Sequence, residues 1–223
     1  MIYFTSDTHF FDSRLNLFPR YFGNVEEMNT HLIKKWNETV SPDDTVYHLG
    51  DFSYTLQGLD VAHKLNGRKH LIIGNYDEKH GVEKLTPYFD SVNHSLDITI
   101  QDEDDQLDVH LVHYPSKGVS KRFNLVGHIH GNWRVQKNML NVGVDVWHFQ
   151  PITAKEVLFF YNAICKFYDH DVWVSNINAN LKYNYRGNIP KHPIYSCPIC
   201  GQDSLCHTLI TSFCSNCNFE SST

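Results

Sequence analysis

No apolar run in the sequence approaches the length that crosses a bilayer, and no basic stretch precedes an apolar core at the amino terminus. A membrane span and a secretory signal are therefore not expected, and the chain reads as soluble and cytoplasmic, in the host cytoplasm if phage-encoded. Basic excess is also missing. With 19 Lys and Arg against 25 Asp and Glu, the net charge is −6 and the isoelectric point ≈ 6.2, which gives no global attraction to phosphate backbones while leaving room for a local basic surface. Internal repeats are absent. Cysteine is scarce, and four of the 6 fall into two Cys-x-x-Cys pairs, so metal is favoured over a disulfide framework. What is present is apolar: 41% hydrophobic and 13% aromatic residues in 223 can bury a sizeable core, as one large domain with an appendage.

Residues 1 to about 150 alternate short β-branched and aromatic runs with helical patterns, which predicts an α/β arrangement. Val25, Met28, Leu32, Trp36 and Val40 recur at helical spacing behind an Asn24 and Glu27 capping pair, and Pro42 ends that helix. A shorter helix is expected over Gly58 to Leu65, then a strand over Lys69 to Ile73. Asp97 to His110 reads as two alternating strands around Asp102, Glu103, Asp104 and Asp105, a solvated hairpin turn. Thr153 and Glu156 form a capping box opening a helix to about Phe167, with Cys165 expected as a buried helical thiol. The domains are then 1–167, an asparagine-rich linker or irregular extension over 168–190, and a small unit over 191–223.

Ligand-type side chains recur where the predicted strands end. Asp7 and His9 follow Ile2 to Phe4, Asp51 follows Val46 to Gly50, Asn75 follows Leu71 to Gly74, His113 follows Val109 to Val112, and His128 and His130 follow Leu125 to Gly127. Open α/β sheets place their sites at such ends. A mixture of carboxylate, imidazole and amide oxygen suits paired divalent cations, and a carboxylate at a glycine turn can approach two ions at once. His31, His48 and His94 match no ligand position and read as structural; His63, His70, His192 and His207 read as structural or solvated.

The order Asp7, Thr8, His9; Gly50, Asp51; Gly74, Asn75, Tyr76, Asp77; His113; Gly127, His128, Ile129, His130 resembles the calcineurin-like metallophosphoesterases, over about residues 1–160 and most closely their small phage and bacterial members. That resemblance implies two packed mixed β-sheets flanked by helices. It implies Asp7, His9 and His130 as ligands of a first ion, Asn75, His113 and His128 of a second, and Asp51 as the bridge. The ions would be Mn, Fe or Zn, with a hydroxide or water between them as nucleophile. The implied activity is that of a dinuclear metal-dependent phosphoesterase or phosphodiesterase, a hydrolase acting on a phosphate ester or anhydride of small-molecule or nucleotide type.

Two positions depart from the family pattern. Tyr76 stands where the family usually has the histidine that assists the leaving oxygen, with the counterpart of Asp77 orienting it. A phenol hydrogen bonds to phosphate but does not cycle protons as imidazole does, so Asn75, Tyr76 and Asp77 are the candidate catalytic group with leaving-group assistance reduced. Phe11 to Arg14 replaces a Gly-His-x-Asn stretch, making Arg14 a candidate phosphate contact.

Cys197 and Cys200 with Cys214 and Cys217 are two knuckles suited to one structural, four-thiolate zinc, and 191–223 resembles a zinc ribbon. Lys191 against Asp203 and Glu220 gives this tail no basic bias, so protein docking or simple stapling stands beside nucleic-acid contact. The competing readings of the whole chain are a noncatalytic metal-binding interaction protein and a nuclease that uses the ribbon.

Overall fold

A computed structural model describes residues 1–15, 20–102 and 105–167, together with four short strands beyond them. The first sheet has the order β10-β1-β2-β3-β4. Strands β1 (Ile2–Thr5), β2 (Thr45–His48), β3 (Arg68–Ile72) and β4 (Ser91–Asn93) run parallel, and β10 (Ile152–Thr153) closes the edge antiparallel to β1. The second sheet, β5-β6-β7-β9-β8, is mixed. It contains β5 (Ser95–Asp102), β6 (Asp105–Val112), β7 (Phe123–Val126), β8 (Val135–Gln136) and β9 (Met139–Asn141), with the β5 and β6 hairpin paired out to Asp102 and Asp105.

Two apolar layers explain the sequence pattern. Phe4, Leu49 and Ile72 of the first sheet meet Val109, Leu111, Leu125 and Leu140 of the second in one core. The opposite face of the first sheet packs Tyr3, Val46 and Leu71 against Met28, Leu32 and Trp36 of α1 (Val25–Thr39). Central strands buried on both faces tend toward apolar runs; β1 is apolar over Ile2 to Phe4, whereas β2 and β3 are apolar only in part, at Val46 and Tyr47 and at Leu71 and Ile72. This is the expected pair of mixed sheets flanked by helices, and α1 begins where predicted, with the Asn24 side chain accepting from the Glu27 amide at 2.8 Å.

α2 (Ala154–Phe167) opens with the anticipated reciprocal cap: Thr153 N–H donates to Glu156 Oε2 at 2.7 Å, and Glu156 N–H donates to Thr153 Oγ1 at 3.1 Å. Its buried face is Val157, Leu158, Phe160, Ala163 and Ile164. Cys165 falls on the other side of that stripe and is exposed, correcting the expectation of a buried thiol. Residues Leu56–Lys64, expected as an α-helix from Gly58, form a 3₁₀ helix instead. The Thr55 hydroxyl takes the Gly58 amide, and Gly58 passes against Phe10 and Ser53 too closely for any side chain, so the segment winds tightly onto the neighbouring loop.

The remaining strands, β11 (Tyr195–Ser196), β12 (Asp203–His207), β13 (Thr211–Cys214) and β14 (Glu220–Ser222), pair antiparallel in a sheet of their own. The linker 168–190, Cys197, Cys200, Cys217 and the side chain of Cys214 lie outside the described residues. Among the described residues no helix is long and apolar enough to cross a membrane.

A candidate dinuclear metal centre

The site forms where the loops leaving β1, β2, β3, β6 and β7 converge. The loop after β1 lies along the loop after β2: Asp7 N–H donates to Gly50 O at 2.9 Å, His9 N–H to Asp51 O at 3.0 Å and Phe10 N–H to Phe52 O at 3.0 Å. The sheets join beside it, where Ser6 bridges to Gly143 and His128 N–H donates to both Asp7 oxygens at 3.0 and 3.1 Å. Gly50 has φ +98°, and a side chain there would strike His113 and Gly74, so glycine is required at the point where the strand delivers Asp51.

All seven expected ligands come together in this convergence. Asp7, His9 and His130 form one group and Asp51, His113 and His128 a second, with the donor atoms in each group within 4.8 Å of one another. Asn75 Oδ1 joins the second, 3.1 Å from His128 Nδ1 and 3.4 Å from His113 Nε2. Asp51 Oδ2 connects the groups, 3.5 Å from His9 Nε2 and 3.6 Å from His113 Nε2. Donors about 2.1 Å from a shared ion stand about 3.0–3.4 Å apart in tetrahedral or cis-octahedral arrangements; the Asn75 contacts of the second group match this spacing, while Asp7 Oδ1 and His9 Nε2 of the first stand 4.0 Å apart and would have to close in on a cation.

Backbone conformation marks five of these seven residues. Asp7, His9, Asp51, His128 and His130 all have positive φ, between 49° and 74°, a region sparsely used by residues with a Cβ. Strain of this kind persists where the surroundings over-determine it, and here it turns consecutive donors inward. The surroundings are hydrogen bonds. Asp51 Oδ1 accepts from Tyr76 N–H at 2.8 Å, leaving Oδ2 to face the imidazoles. His113 Nδ1 lies 2.7 Å from Leu49 O, so it carries the proton and Nε2 keeps its lone pair for the site.

His130 Nδ1 is likewise 2.7 Å from Asp145 Oδ2, and Asp145 receives Arg20 at 2.6 and 2.9 Å. Arg20, fully buried, also donates to the carbonyls of Asp7 and Thr8 and so gathers the first group from behind. Neither Arg20 nor Asp145 was singled out from the sequence. A signal existed for the second: a lone carboxylate inside the apolar run Val142 to Trp147 calls for a buried partner. Asn141 also went unnoticed; its amide donates to His130 O and Trp133 O, both at 2.7 Å, and shapes the histidine loop.

Asp77 does not orient Tyr76. Its carboxylate is buried and accepts from the amides of Gly74, Asp51 and Phe52 at 2.9, 2.6 and 3.1 Å, which makes it a positioning residue for the loop that carries Asp51. Tyr76 stands at the mouth with its ring edge-on to His9, centroids 5.0 Å apart. Its hydroxyl accepts from Arg14 at 2.8 Å, and Arg14 is held by both oxygens of Asp12 and lies over the Tyr54 ring at 4.2 Å. His48 is buried in the core on Thr8 Oγ1 at 2.9 Å, in keeping with a structural role.

Electrostatics favour cations here. Burial, then the charge of Asp7, pushes the Asp51 carboxyl up to about 8, and burial also raises Asp7. Burial lowers His9 and His128 and brings His113 down to about 4. Neutral imidazoles are the ligand form, and crowded carboxylates are relieved by positive charge. Burial pushes Asp145 up as well, but the hydrogen bonds and charges of His130 and Arg20 outweigh it and hold the carboxyl well below the usual range.

No protein-family model matches the chain. It is 30% identical over 170 residues to the uncharacterized protein MJ1445 of Methanocaldococcus jannaschii, an alignment covering 68% of this chain and 86% of that protein. It is 28% identical over 179 residues to the gene 66 protein of Mycobacterium phage L5, covering 65% of this chain and 86% of that one. Among solved structures it matches the protein of unknown function AQ665 from Aquifex aeolicus, with TM-score 0.53 and 26% identity over 70% of this chain and 97% of the other.

Proposed function

We propose, for a chain that belongs to the same family as the Methanocaldococcus jannaschii protein MJ1445, a metal-dependent phosphoesterase activity of the calcineurin-like type. The observation that carries this reading is the placement of Asp51 Oδ2 between two donor groups, 3.5 Å from His9 and 3.6 Å from His113. Asp7, His9 and His130 would hold one divalent ion, Asn75, His113 and His128 the other, with Asp51 shared. Bound there, Mn, Fe or Zn ions would activate water near neutral pH and neutralise charge on a phosphoryl group.

The chain's own groups supply the rest. Asp77 and the Tyr76 amide fix the orientation of Asp51, and Asp145 fixes His130. At the mouth Arg14 offers a planar cation to phosphate oxygens. Because the Tyr76 hydroxyl accepts from Arg14, its own proton is left for a substrate oxygen. A phenol in this position gives weak assistance to a departing oxygen, which favours anhydrides and aryl esters over alkyl esters. The carboxy-terminal thiolates, in this reading, hold a structural zinc.

The test is a hydrolysis panel after reconstitution with Mn²⁺, spanning monoesters, diesters, cyclic nucleotides, dinucleotides and single-stranded nucleic acid, with Asp51→Asn as the control. Hydrolysis of one class well above that control is expected. A rate no higher than the control on every substrate would replace this reading with a noncatalytic metal-binding protein.

A further inference from the structure

Beside the second donor group the surface opens into a cleft of ≈ 140 Å³. Ile73 and Val112 supply apolar surface, and Tyr114 forms the wall shared with the metal centre. The Tyr114 ring lies 4.7 Å from the ring of His128 and 4.9 Å from that of His113, so one aromatic ring separates the cleft from the more exposed donor group. Polar groups of both kinds surround the space. Lys117, whose ammonium sits 4.8 Å over the Tyr114 ring, donates; Glu78 accepts; Ser95 and His110 contribute further hydrogen-bonding atoms. His110 is buried, and Asp97 at 2.6 Å from its Nδ1 fixes the ring.

A space of about 150 Å³ takes one six-membered ring. An aromatic wall, an apolar floor and a rim with both donors and acceptors suit a planar ring that is itself both donor and acceptor. A purely apolar ring would leave Glu78 and Lys117 unused, and a fused two-ring base would fill the cleft and project toward its open side. We propose that this cleft receives the pyrimidine ring of a nucleotide whose phosphoryl group lies at the two donor groups. The proposal rests on the phosphoesterase reading for its phosphate half, while the ring half stands on the cleft alone.

Two measurements separate those halves. The first compares kcat/KM for the p-nitrophenyl ester of thymidine 5′-phosphate with that for p-nitrophenyl phosphate, in the Mn²⁺-loaded wild type and in Ser95→Trp, whose indole would fill the cleft. The ratio of the two values is expected to fall about tenfold or more in the variant. The second follows binding of cytidine and of adenosine by NMR, which needs neither turnover nor metal. Saturable cytidine binding to the wild type, tighter than that of adenosine, weakened in Ser95→Trp and in the exposed-site variant Lys117→Ala, is the expected result. An unchanged ratio, equal binding of the two nucleosides, or cytidine binding that survives both substitutions overturns the assignment. Should the wild type hydrolyse neither ester nor any substrate of the panel above while cytidine binds as described, the phosphoesterase reading falls and the ring site stands.

Discussion

The two donor groups each combine a carboxylate with two imidazoles, the second adding the amide of Asn75, but they are backed differently. Behind the first, His130 leans on Asp145, Asp145 on Arg20, and Arg20 on the carbonyls of Asp7 and Thr8, a continuous buried ionic chain. Behind the second, His113 leans on the backbone carbonyl of Leu49, and His128 is exposed beside the amide of Asn75. A carboxylate partner raises imidazole basicity and locks the ring more firmly than a carbonyl does, and burial slows exchange with solvent. In the proposed reading the first group would keep its ion and the second would trade its ion or its ligands more readily. Asp51 belongs to both, so its loss should erase the difference. Asp51→Asn is expected to lower turnover about a thousandfold, several kcal/mol of transition-state stabilisation, and to reduce bound Mn²⁺ at both sites by elemental analysis. Retention of one tightly held equivalent would show that Asp51 serves only one group.

Substitutions on either side should split the pair. Asp145→Asn removes the carboxylate facing both His130 and Arg20, and a change of this kind beyond the ligands costs about 10- to 100-fold in metal affinity. It also takes a partner from a buried guanidinium, at about 3–5 kcal/mol of stability, visible as a lowered melting temperature. His128→Ala is expected to release the second ion with little change in melting temperature, because that side chain is exposed. Equal metal loss at both sites in both variants, measured by titration calorimetry, would refute the proposed asymmetry.

Protons should reveal the same crowding once the metal is removed. In the metal-free protein Asp51 titrates at about 8, whereas an unfolded aspartate does so near 4. The folded state therefore holds the extra proton between those values, and stability falls as pH rises through that window. The buried imidazoles oppose this: His113, at about 4, and His48, at about 3, are neutral where unfolded histidines are charged, so they add stability as pH climbs toward 6.5. Unfolded histidines are still half charged at pH 6.5, so their opposing slope fades only over the next unit, and that of Asp51 stands alone above about pH 7.5, at about 0.8 kcal/mol between pH 7.5 and 9. Chelator-treated protein should melt at lower temperature at pH 9 than at 7.5, and Mn²⁺ should flatten the slope. A rising melting temperature over that interval would mean that Asp51 is ionised without metal.

How much of this was legible in the sequence depends on range. All seven donors were readable because chemistry demands particular side chains at strand ends, and short intervals such as Asp7 to His9 and His128 to His130 announce themselves. Caps were readable for the same reason, Asn24 with Glu27 and Thr153 with Glu156 lying three residues apart. The support was not. Arg20 and Asp145 are separated by 125 positions, and no local rule joins them. Backbone strain at Asp7, His9, Asp51, His128 and His130 was equally hidden, because these residues adopt positive φ without the glycine that usually advertises it. Asp77 was misread since its family counterpart suggested a role toward residue 76, while three backbone amides claim its oxygens.

The smallest predicted effect lies at the mouth, where the two groups face one substrate through Tyr76. Arg14 donates to the phenol oxygen, and Asp12, which holds Arg14, also lies 3.7 Å from His9 Nδ1, so Tyr76 is tied to the first group through charged residues as well as by its amide to Asp51. Tyr76→His would exchange a hydroxyl fixed by Arg14 for an imidazole able to deliver a proton to a departing oxygen. General acids of this kind contribute about 10²–10⁴-fold when ideally placed, and an unoptimised imidazole should recover about tenfold of that on alkyl phosphates. Aryl esters, whose leaving groups need little protonation, should change by about twofold or less. The ratio of alkyl to aryl turnover is therefore the measurement, since it cancels any shared loss from altered metal binding. A fall on every substrate, with the ratio unchanged, would mean that the phenol and Arg14 act together on the phosphoryl oxygens, and that the departure from histidine is a working replacement for it.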